Sequence, residues 1–149
     1  MKNTIINEVA LYYPNPEIKE KVTIRNSADA HKAVRSLFNE HQLSVREEFV
    51  VLYLNRSNQV LGSYCGFKGG ITGVVVDPRL IFSVALKCLA VSIVLAHNHP
   101  SGNLTPSVED KTLTQKVKEG GDFLDIHLLD HIIINSKGEY FSFADQGIL

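Results

Sequence analysis

The sequence has few of the features that mark secreted, membrane or nucleic-acid-binding proteins. Its 149 residues include two cysteines, Cys65 and Cys88, which form no CxxC pair, and we expect reduced, buried thiols rather than a disulfide. The formal net charge is −1, so there is no strong field to attract DNA or an anionic membrane. The first residues lack the uninterrupted apolar stretch of a signal peptide, and the longest apolar runs are far shorter than a membrane span. We therefore expect a cytoplasmic protein with no membrane association.

Internal repeats, low-complexity segments and linkers are also absent from the sequence. With 44% hydrophobic and 21% charged residues, the chain suits one globular domain with a sizeable core. Apolar periodicity predicts three helices, at 28–39, 78–89 and 106–119. It predicts strands at 8–13, 22–24, 47–54, 60–67, 73–76, 91–97, 126–135 and 140–143. This order predicts a single α/β domain, in which a mixed β-sheet is flanked by helices.

Capping residues predict where the helices begin and end. Ser27 is the expected N-cap of the first helix, and Asp77-Pro78 opens the second. The second helix is so apolar that we expect it to be buried on much of its surface. Thr105-Pro106 predicts the N-cap and first residue of the third helix, and Gly120-Gly121 predicts its end.

The apolar run at 91–96 is the centre of the functional prediction. Its odd-numbered and even-numbered positions are both mostly apolar, which is typical of a strand covered on both faces. His97 and His99 follow directly and are two residues apart, so they project to the same side from the carboxyl end of this strand. Ligands in open α/β sheets tend to lie just outside that end.

A third polar group follows on the next helix. Ser107 and Asp110 are three residues apart and share a face in its first turns. Two imidazoles and one carboxylate around an open fourth position form the layout of a catalytic zinc site. The ordinary alternative is that Ser107 and Asp110 only cap the helix and that Pro100-Ser101-Gly102 is only a turn.

The complete spacing is more specific than its parts: His, one residue, His, seven residues, Ser, two residues, Asp. It resembles the JAMM motif of the JAB/MPN metalloprotease superfamily, and residues 97–102, 106–107 and 110 are similar to its RadC-like branch, the DNA repair protein RadC-like sequences. The resemblance covers roughly residues 25–149, preceded by a strand-like extension over residues 1–24. It implies the JAB/MPN fold, related to cytidine deaminases, and one Zn²⁺ per chain.

The resemblance also implies roles for individual residues. His97, His99 and Asp110 would be the metal ligands, and Ser107 would donate a hydrogen bond to the reacting water or the developing oxyanion. Preorganised donors of this kind are typically worth about 2.7–4 kcal/mol. The motif requires an upstream glutamate as general base. Glu47 and Glu48 point to opposite faces of the strand; the Arg-Glu-x-Phe pattern at 46–49 favours Glu47, while the ordinary alternative is that both are solvated charges.

Two further polar positions have weaker predictions. Asn98 points away from the two histidines by strand parity, so we expect it in a turn or in a role that supports the site. Asp130 and His131 form a polar pair within an apolar strand. We favour a structural role for this pair over support of the metal site.

The sequence therefore leads to two function hypotheses. The first is a zinc-dependent hydrolase of the JAMM type, which cleaves a peptide or isopeptide amide in an unknown protein or peptide substrate. The alternative is a non-enzymatic, metal-containing binding module acting with DNA-repair or mobile-element proteins. A nucleobase deaminase is discounted because the His-x-Glu and Pro-Cys-x-x-Cys motifs are absent.

DNA binding by this domain is expected to be weak or indirect. The sequence has no basic stripe. It also lacks the helical N-terminal segment of longer family members, which resembles a DNA-binding helix-hairpin-helix. No signal in the sequence points to a particular substrate or oligomeric state.

Overall fold

The computed structural model describes residues 10–14 and 20–149. These residues form three helices and five strands, in the order α1 (Ser27–Arg35), β1 (Glu48–Leu54), β2 (Val60–Lys68), α2 (Pro78–Lys87), β3 (Ser92–Asn98), α3 (Val108–Phe123), β4 (His127–Ile134) and β5 (Tyr140–Ser142). The strands form one sheet in the order β2-β1-β3-β4-β5. Only the β3–β4 pair is parallel, while the other three pairs are antiparallel. The predicted single α/β domain with a mixed sheet is confirmed.

Strand β3 lies at the middle of the sheet, and all seven of its residues are buried. Its alternating side chains belong to two separate cores. Val94 and Ala96 pack with Ala30 and other residues on the α1 side. Ile93, Leu95 and their neighbours pack against α2 and α3 on the other side, through Ile81, Ala85 and Val117. The sheet is therefore covered on both faces, as the apolar run at 91–96 predicted.

Helix α1 begins one residue earlier than the sequence predicted. Its N-cap is Asn26, whose Oδ1 accepts a hydrogen bond from the backbone N–H of Asp29 at 2.9 Å. The prediction of Ser27 as the cap is wrong, because its hydroxyl instead donates to Asp145 at 2.6 Å. The helix also ends at Arg35, four residues before the predicted end, and turns follow it.

Helix α3 differs from its prediction at both ends. Its N-cap is Ser107 and not Thr105, so Pro106 precedes the helix. At the other end, Gly120 and Gly121 lie inside the helix, and their prediction as its stop is wrong. A side chain at Gly121 would overlap the carbonyl oxygen of Ile126, so this glycine allows the return chain to pass close to the helix.

Helix α2 begins after Asp77 as predicted, but its predicted burial is wrong. Asp77 accepts a hydrogen bond from the backbone N–H of Arg79 at 2.9 Å. Only Ile81 and Ala85 are fully buried, while Leu80 and Leu86 are 44% and 51% exposed. The helix therefore contacts the sheet along a narrow stripe and presents apolar side chains outward.

The strands were predicted more accurately than the helix ends. The hairpin of β1 and β2 is confirmed, with β2 at the edge of the sheet. Cys65 lies on β2 and is exposed, which corrects the expectation of two buried thiols, although both cysteines are free.

Three short predicted strands do not form. Residues 73–76 are irregular, and Val75 is 92% exposed. The N–H of Gly70 donates to the carbonyl of Gly73 at the start of this segment. Residues 10–13 form no strand, while residues 8 and 9 lie outside the described part of the chain. The segment at 22–24 contributes a single bridge, between Thr23 and Gln59. None of the helices described here has the length and apolar composition needed to cross a membrane.

Candidate metal centre

Four polar side chains meet at the carboxyl end of β3. Glu47, His97, His99 and Asp110 each offer one ligand atom, and these atoms all lie within 4.8 Å of one another. Strand parity directs both histidines to the α2/α3 side of the sheet, while Asp110 comes from the first turn of α3. Glu47 immediately precedes β1, which runs antiparallel to β3 with Phe49 opposite His97.

Three of these side chains are spaced like the ligands of one small cation. Nε2 of His97 lies 3.1 Å from Oδ1 of Asp110, and Nε2 of His99 lies 3.3 Å from Oδ2. The two Nε2 atoms are 2.9 Å apart. In a tetrahedral zinc site with bonds of about 2.0–2.1 Å, neighbouring ligand atoms are separated by about 3.3 Å. The geometry therefore fits a divalent cation bound by His97, His99 and Asp110.

Hydrogen bonding at His99 fits the same conclusion. Its Nδ1 lies 2.6 Å from the carbonyl oxygen of Asn103, which can only accept, so Nδ1 carries a hydrogen. A neutral ring with this hydrogen would present the lone pair of Nε2 to a cation held beside Asp110. This second contact is the usual way in which a protein orients a metal-binding histidine.

The carboxylate of Asp110 supplies negative charge to the cluster. Burial acts to raise its pKa, but the interactions with His97 and His99 outweigh this effect and hold the pKa well below the ordinary value. Burial acts to lower the pKa of His99, yet Asp110 and the carbonyl of Asn103 raise it overall. Asp110 thus favours a positive charge between these groups, which a metal ion would supply.

Ser107 and Asp110 also form a reciprocal capping box at the start of α3. The hydroxyl oxygen of Ser107 accepts from the N–H of Asp110 at 3.0 Å, and Oδ2 of Asp110 accepts from the N–H of Ser107 at 2.7 Å. The helix-capping alternative and the metal-site interpretation are therefore compatible. Ser107 keeps its own hydroxyl hydrogen available to an acceptor, and it lines the same cleft as Asp110.

The carboxylate of Glu47 lies farther from Nε2 of His97 than the ligand atoms of His97, His99 and Asp110 lie from one another. Its Oε1 is 3.9 Å from Nε2 of His97. The side chain is largely buried, and this burial raises its pKa even though His97 and His99 act to lower it. Glu48 is directed elsewhere, with Oε1 at 3.8 Å from Nε of Arg46. Of the two candidate bases, the structure brings only Glu47 to the cluster.

An open cleft of about 480 Å³ leads to the cluster. Its lining combines the acidic and histidine side chains with the irregular segment at 71–74 and the loop that follows β3. Ile71 lies in this lining and is 78% exposed. The cleft has both polar and apolar walls.

Asn98 supports the site in a way that sequence parity only partly indicated. It is fully buried on the face opposite the histidines. Its Oδ1 accepts from the N–H of Glu48 at 2.8 Å, and its Nδ2 donates to the carbonyls of Leu43 at 2.8 Å and Arg46 at 2.9 Å. Asn98 therefore holds the chain on both sides of Glu47, although it forms no contact with the metal-binding atoms.

Asp130 and His131 have different surroundings. Asp130 accepts hydrogen bonds from Ser142 at 2.6 Å and from the N–H of Ala144, which is the structural role that was favoured. His131 instead lies directly behind His97, with its Nε2 at 2.8 Å from Nδ1 of His97. It is completely buried, and burial lowers the pKa of its imidazole well below the ordinary value. Because side chains alternate along β4, Asp130 and His131 point to opposite faces of the sheet, which their adjacency in the sequence did not indicate.

Comparison with known proteins gives the same assignment as the motif. The family model for the RadC-like JAB domain matches residues 24–148. A UPF0758 protein of Flavobacterium johnsoniae is 45% identical over 125 residues, which cover 84% of this chain and 53% of the relative. A UPF0758 protein of Porphyromonas gingivalis is 37% identical over 142 residues, covering 95% of this chain and 61% of the relative. The UPF0758 protein YfjY of Escherichia coli K12 is 43% identical over 104 residues, covering 70% of this chain and 64% of the relative.

The chain spans between about half and two thirds of the length of these relatives. Their names state no substrate, activity or partner. The matches therefore identify a domain type, while the chemistry of this chain has to be argued from its own site.

Proposed function

The chain belongs to the family of RadC-like JAB domains, and from this premise we propose that it is a zinc-dependent hydrolase of the JAMM type. His97, His99 and Asp110 would hold one Zn²⁺ per chain, and the bond cleaved would be a peptide or isopeptide amide. The observation that supports this proposal is the meeting of Glu47 with the three ligands inside an open cleft.

The residues divide the chemistry between them. A zinc ion, when bound, lowers the pKa of water to about 7 and so supplies a nucleophile at neutral pH. The carboxylate of Glu47 is close enough to His97 to contact such a water, but it lies farther from Nε2 of His97 than the carboxylate of Asp110 does. Its carboxylate would accept the proton of the attacking water and return it to the leaving amine. Ser107 would donate its remaining hydroxyl hydrogen to the oxygen that gains charge on the substrate.

Paired variants separate catalysis from metal binding. In Glu47→Gln the three ligands remain, so zinc content and melting temperature should stay near the parent values while turnover falls by roughly 10²–10⁴-fold. Asp110→Asn removes the only anionic ligand, so it should lose zinc and activity together. It should also lose the stabilisation that bound zinc gives to the folded state. Glu48→Gln is the matched control, since Glu48 is directed towards Arg46.

The assays are elemental analysis, thermal melting with and without chelator, and turnover on a library of quenched-fluorescent peptides and lysine-linked isopeptides. The parent should contain close to one equivalent of zinc. Loss of zinc in Glu47→Gln, or inactivity of Glu48→Gln with full activity of Glu47→Gln, would contradict the assignment of the base. Retained zinc with no hydrolysis anywhere in the library would contradict the hydrolase and favour the metal-containing binding module.

A further inference from the structure

We propose that His131 is a positioning residue for the metal centre, and that together with Thr114 it fixes which nitrogen of His97 carries the hydrogen. This inference rests on the metal site of the proposed function but not on amide hydrolysis. Its basis is a buried chain of hydrogen bonds that runs from α3 through β4 to β3. The chain links Thr114 to His131 at 2.6 Å and His131 to His97 at 2.8 Å.

The direction of these hydrogen bonds is set at Thr114. Its Oγ1 lies 2.6 Å from the backbone carbonyl oxygen of Asp110. Two oxygens at this distance share a hydrogen, and a carbonyl has none to give, so the single hydroxyl hydrogen of Thr114 points to Asp110. Towards His131, the same oxygen can only accept. Nδ1 of His131 must therefore carry a hydrogen.

The next bond follows from the apolar surroundings of His131. The ring is completely buried and packs between two aromatic rings, with centroid distances of 5.5 Å to Phe49 and 4.7 Å to Phe143. A charged ring in these surroundings would be strongly disfavoured. With its hydrogen on Nδ1, neutral His131 has a lone pair on Nε2, so Nδ1 of His97 must donate to it. Nε2 of His97 is then free of hydrogen and faces Asp110.

This arrangement couples the two ligands that come from different elements. Thr114 lies one turn after Asp110 on α3 and contacts its carbonyl, while His131 contacts His97 on β3. Metal-binding histidines usually donate their second N–H to a carboxylate, a carbonyl or water. Here the acceptor is a neutral imidazole, which fixes the tautomer without adding a further negative charge beside Glu47 and Asp110.

The hydrogen positions can be observed directly. In ¹⁵N-labelled protein, long-range proton–nitrogen spectra distinguish the Nδ1–H and Nε2–H forms of each histidine ring. We expect His131 to be in the Nδ1–H form both with chelator and with one equivalent of zinc, and His97 to be in the Nδ1–H form with zinc. A hydrogen on Nε2 of His131 in either state would overturn the proposal, whether or not the protein cleaves any amide.

Variants at Thr114 test the consequence for metal affinity. Thr114→Val keeps the shape but removes the hydroxyl, whereas Thr114→Ser keeps the hydroxyl. Loss of an outer partner of a ligand typically weakens metal binding by about 10–100-fold. We therefore expect the zinc Kd, measured by competition with a fluorescent chelator, to rise by that factor in Thr114→Val and to stay near the parent value in Thr114→Ser.

A purely structural role for Thr114 would give a different pattern. The melting temperature of the metal-free protein would fall in Thr114→Val, while the zinc Kd and the His131 tautomer would not change, and this result would overturn the proposal. His131→Gln offers a second comparison, because its amide oxygen can still accept from Nδ1 of His97. It should bind zinc more tightly than His131→Leu, and equal affinities of the two variants would also count against a positioning role.

Discussion

The buried side-chain amide of Asn98 holds the loop before β1 through three hydrogen bonds, so its replacement should lower the free energy of unfolding by a measurable amount. In Asn98→Ala, three backbone groups lose their partner: the carbonyls of Leu43 and Arg46, and the N–H of Glu48. The bond to Leu43 is fully buried, while the other two are partly buried. An unpaired buried polar group costs about 1–3 kcal/mol. With partial access of water to the two outer groups, the expected loss in the free energy of unfolding is roughly 2–5 kcal/mol.

The measurement is urea denaturation followed by circular dichroism, in excess chelator so that metal binding does not contribute. Gln115→Ala is a matched control, since it also removes an amide, but from the exposed face of α3. It should change the free energy of unfolding by no more than about 0.5 kcal/mol. Because His97 and His99 point to the other face of β3, Asn98→Ala should still bind zinc once folded.

Asn98→Asp sharpens the test of this reasoning. Aspartate keeps an acceptor for the N–H of Glu48 but places a second oxygen against the carbonyls of Leu43 and Arg46. The loss should therefore be at least as large as in Asn98→Ala. A loss below about 0.5 kcal/mol in Asn98→Ala, or a milder effect in Asn98→Asp, would show that the loop does not depend on these bonds.

Three other predictions follow from the fold and the charge of the chain. Gly121→Ala should destabilise the protein by about 1–3 kcal/mol, since the added carbon meets backbone at Ile126, whereas Gly120→Ala meets only the movable ring of Phe82 and should cost less in urea denaturation. Burial raises the pKa of Asp130 despite its hydrogen bonds, so the folded state favours the protonated form, and stability is lost as pH rises through the folded pKa. The melting temperature of Asp130→Asn relative to the parent should accordingly increase from pH 4 to pH 7, and a decrease would contradict this sign. Finally, fluorescence anisotropy at physiological salt should show only weak binding to duplex DNA, and sub-micromolar affinity with a steep salt dependence would contradict that expectation.

The parts of the fold that depend on apolar periodicity were predictable from the sequence. Strand β3 is buried on both faces, and its apolar residues occupy both alternating sets of positions, so its burial between two layers followed from the pattern alone. The hairpin of β1 and β2 was equally clear, since turn residues separate two strand-like runs. The same parity argument placed His97 and His99 on one side, where the structure has them.

Helix ends were less predictable because several neighbouring residues can serve as caps. Asn26 and Ser27 are both good N-caps, and so are Thr105 and Ser107. At α3 the choice falls on Ser107, because Asp110 returns its hydrogen bond three residues later. That spacing was visible in the sequence, but Thr105-Pro106 offered a competing start.

The residues that surround the metal site could not be placed from sequence alone. Asn98 and His131 act across the sheet, on partners 55 and 34 positions away. The role of Gly121 likewise depends on the close approach of Ile126 after the helix, not on the helix itself. In each case the deciding contact is tertiary, while the local sequence suggested a turn, a structural pair or a helix stop.

The alternation of β3 limits how the gene for this domain can change in length. Deletion or insertion of one codon within 92–98 would turn the side chain of every later strand residue to the opposite face of the sheet, since strand side chains alternate with a period of two. His97 would then enter the α1 core, and the amide of Asn98 would face Asp110. Length changes should instead be tolerated in the turn at 136–138, since its three residues are exposed. In an insertion scan across the gene, variants that retain zinc should therefore include none with insertions in β3.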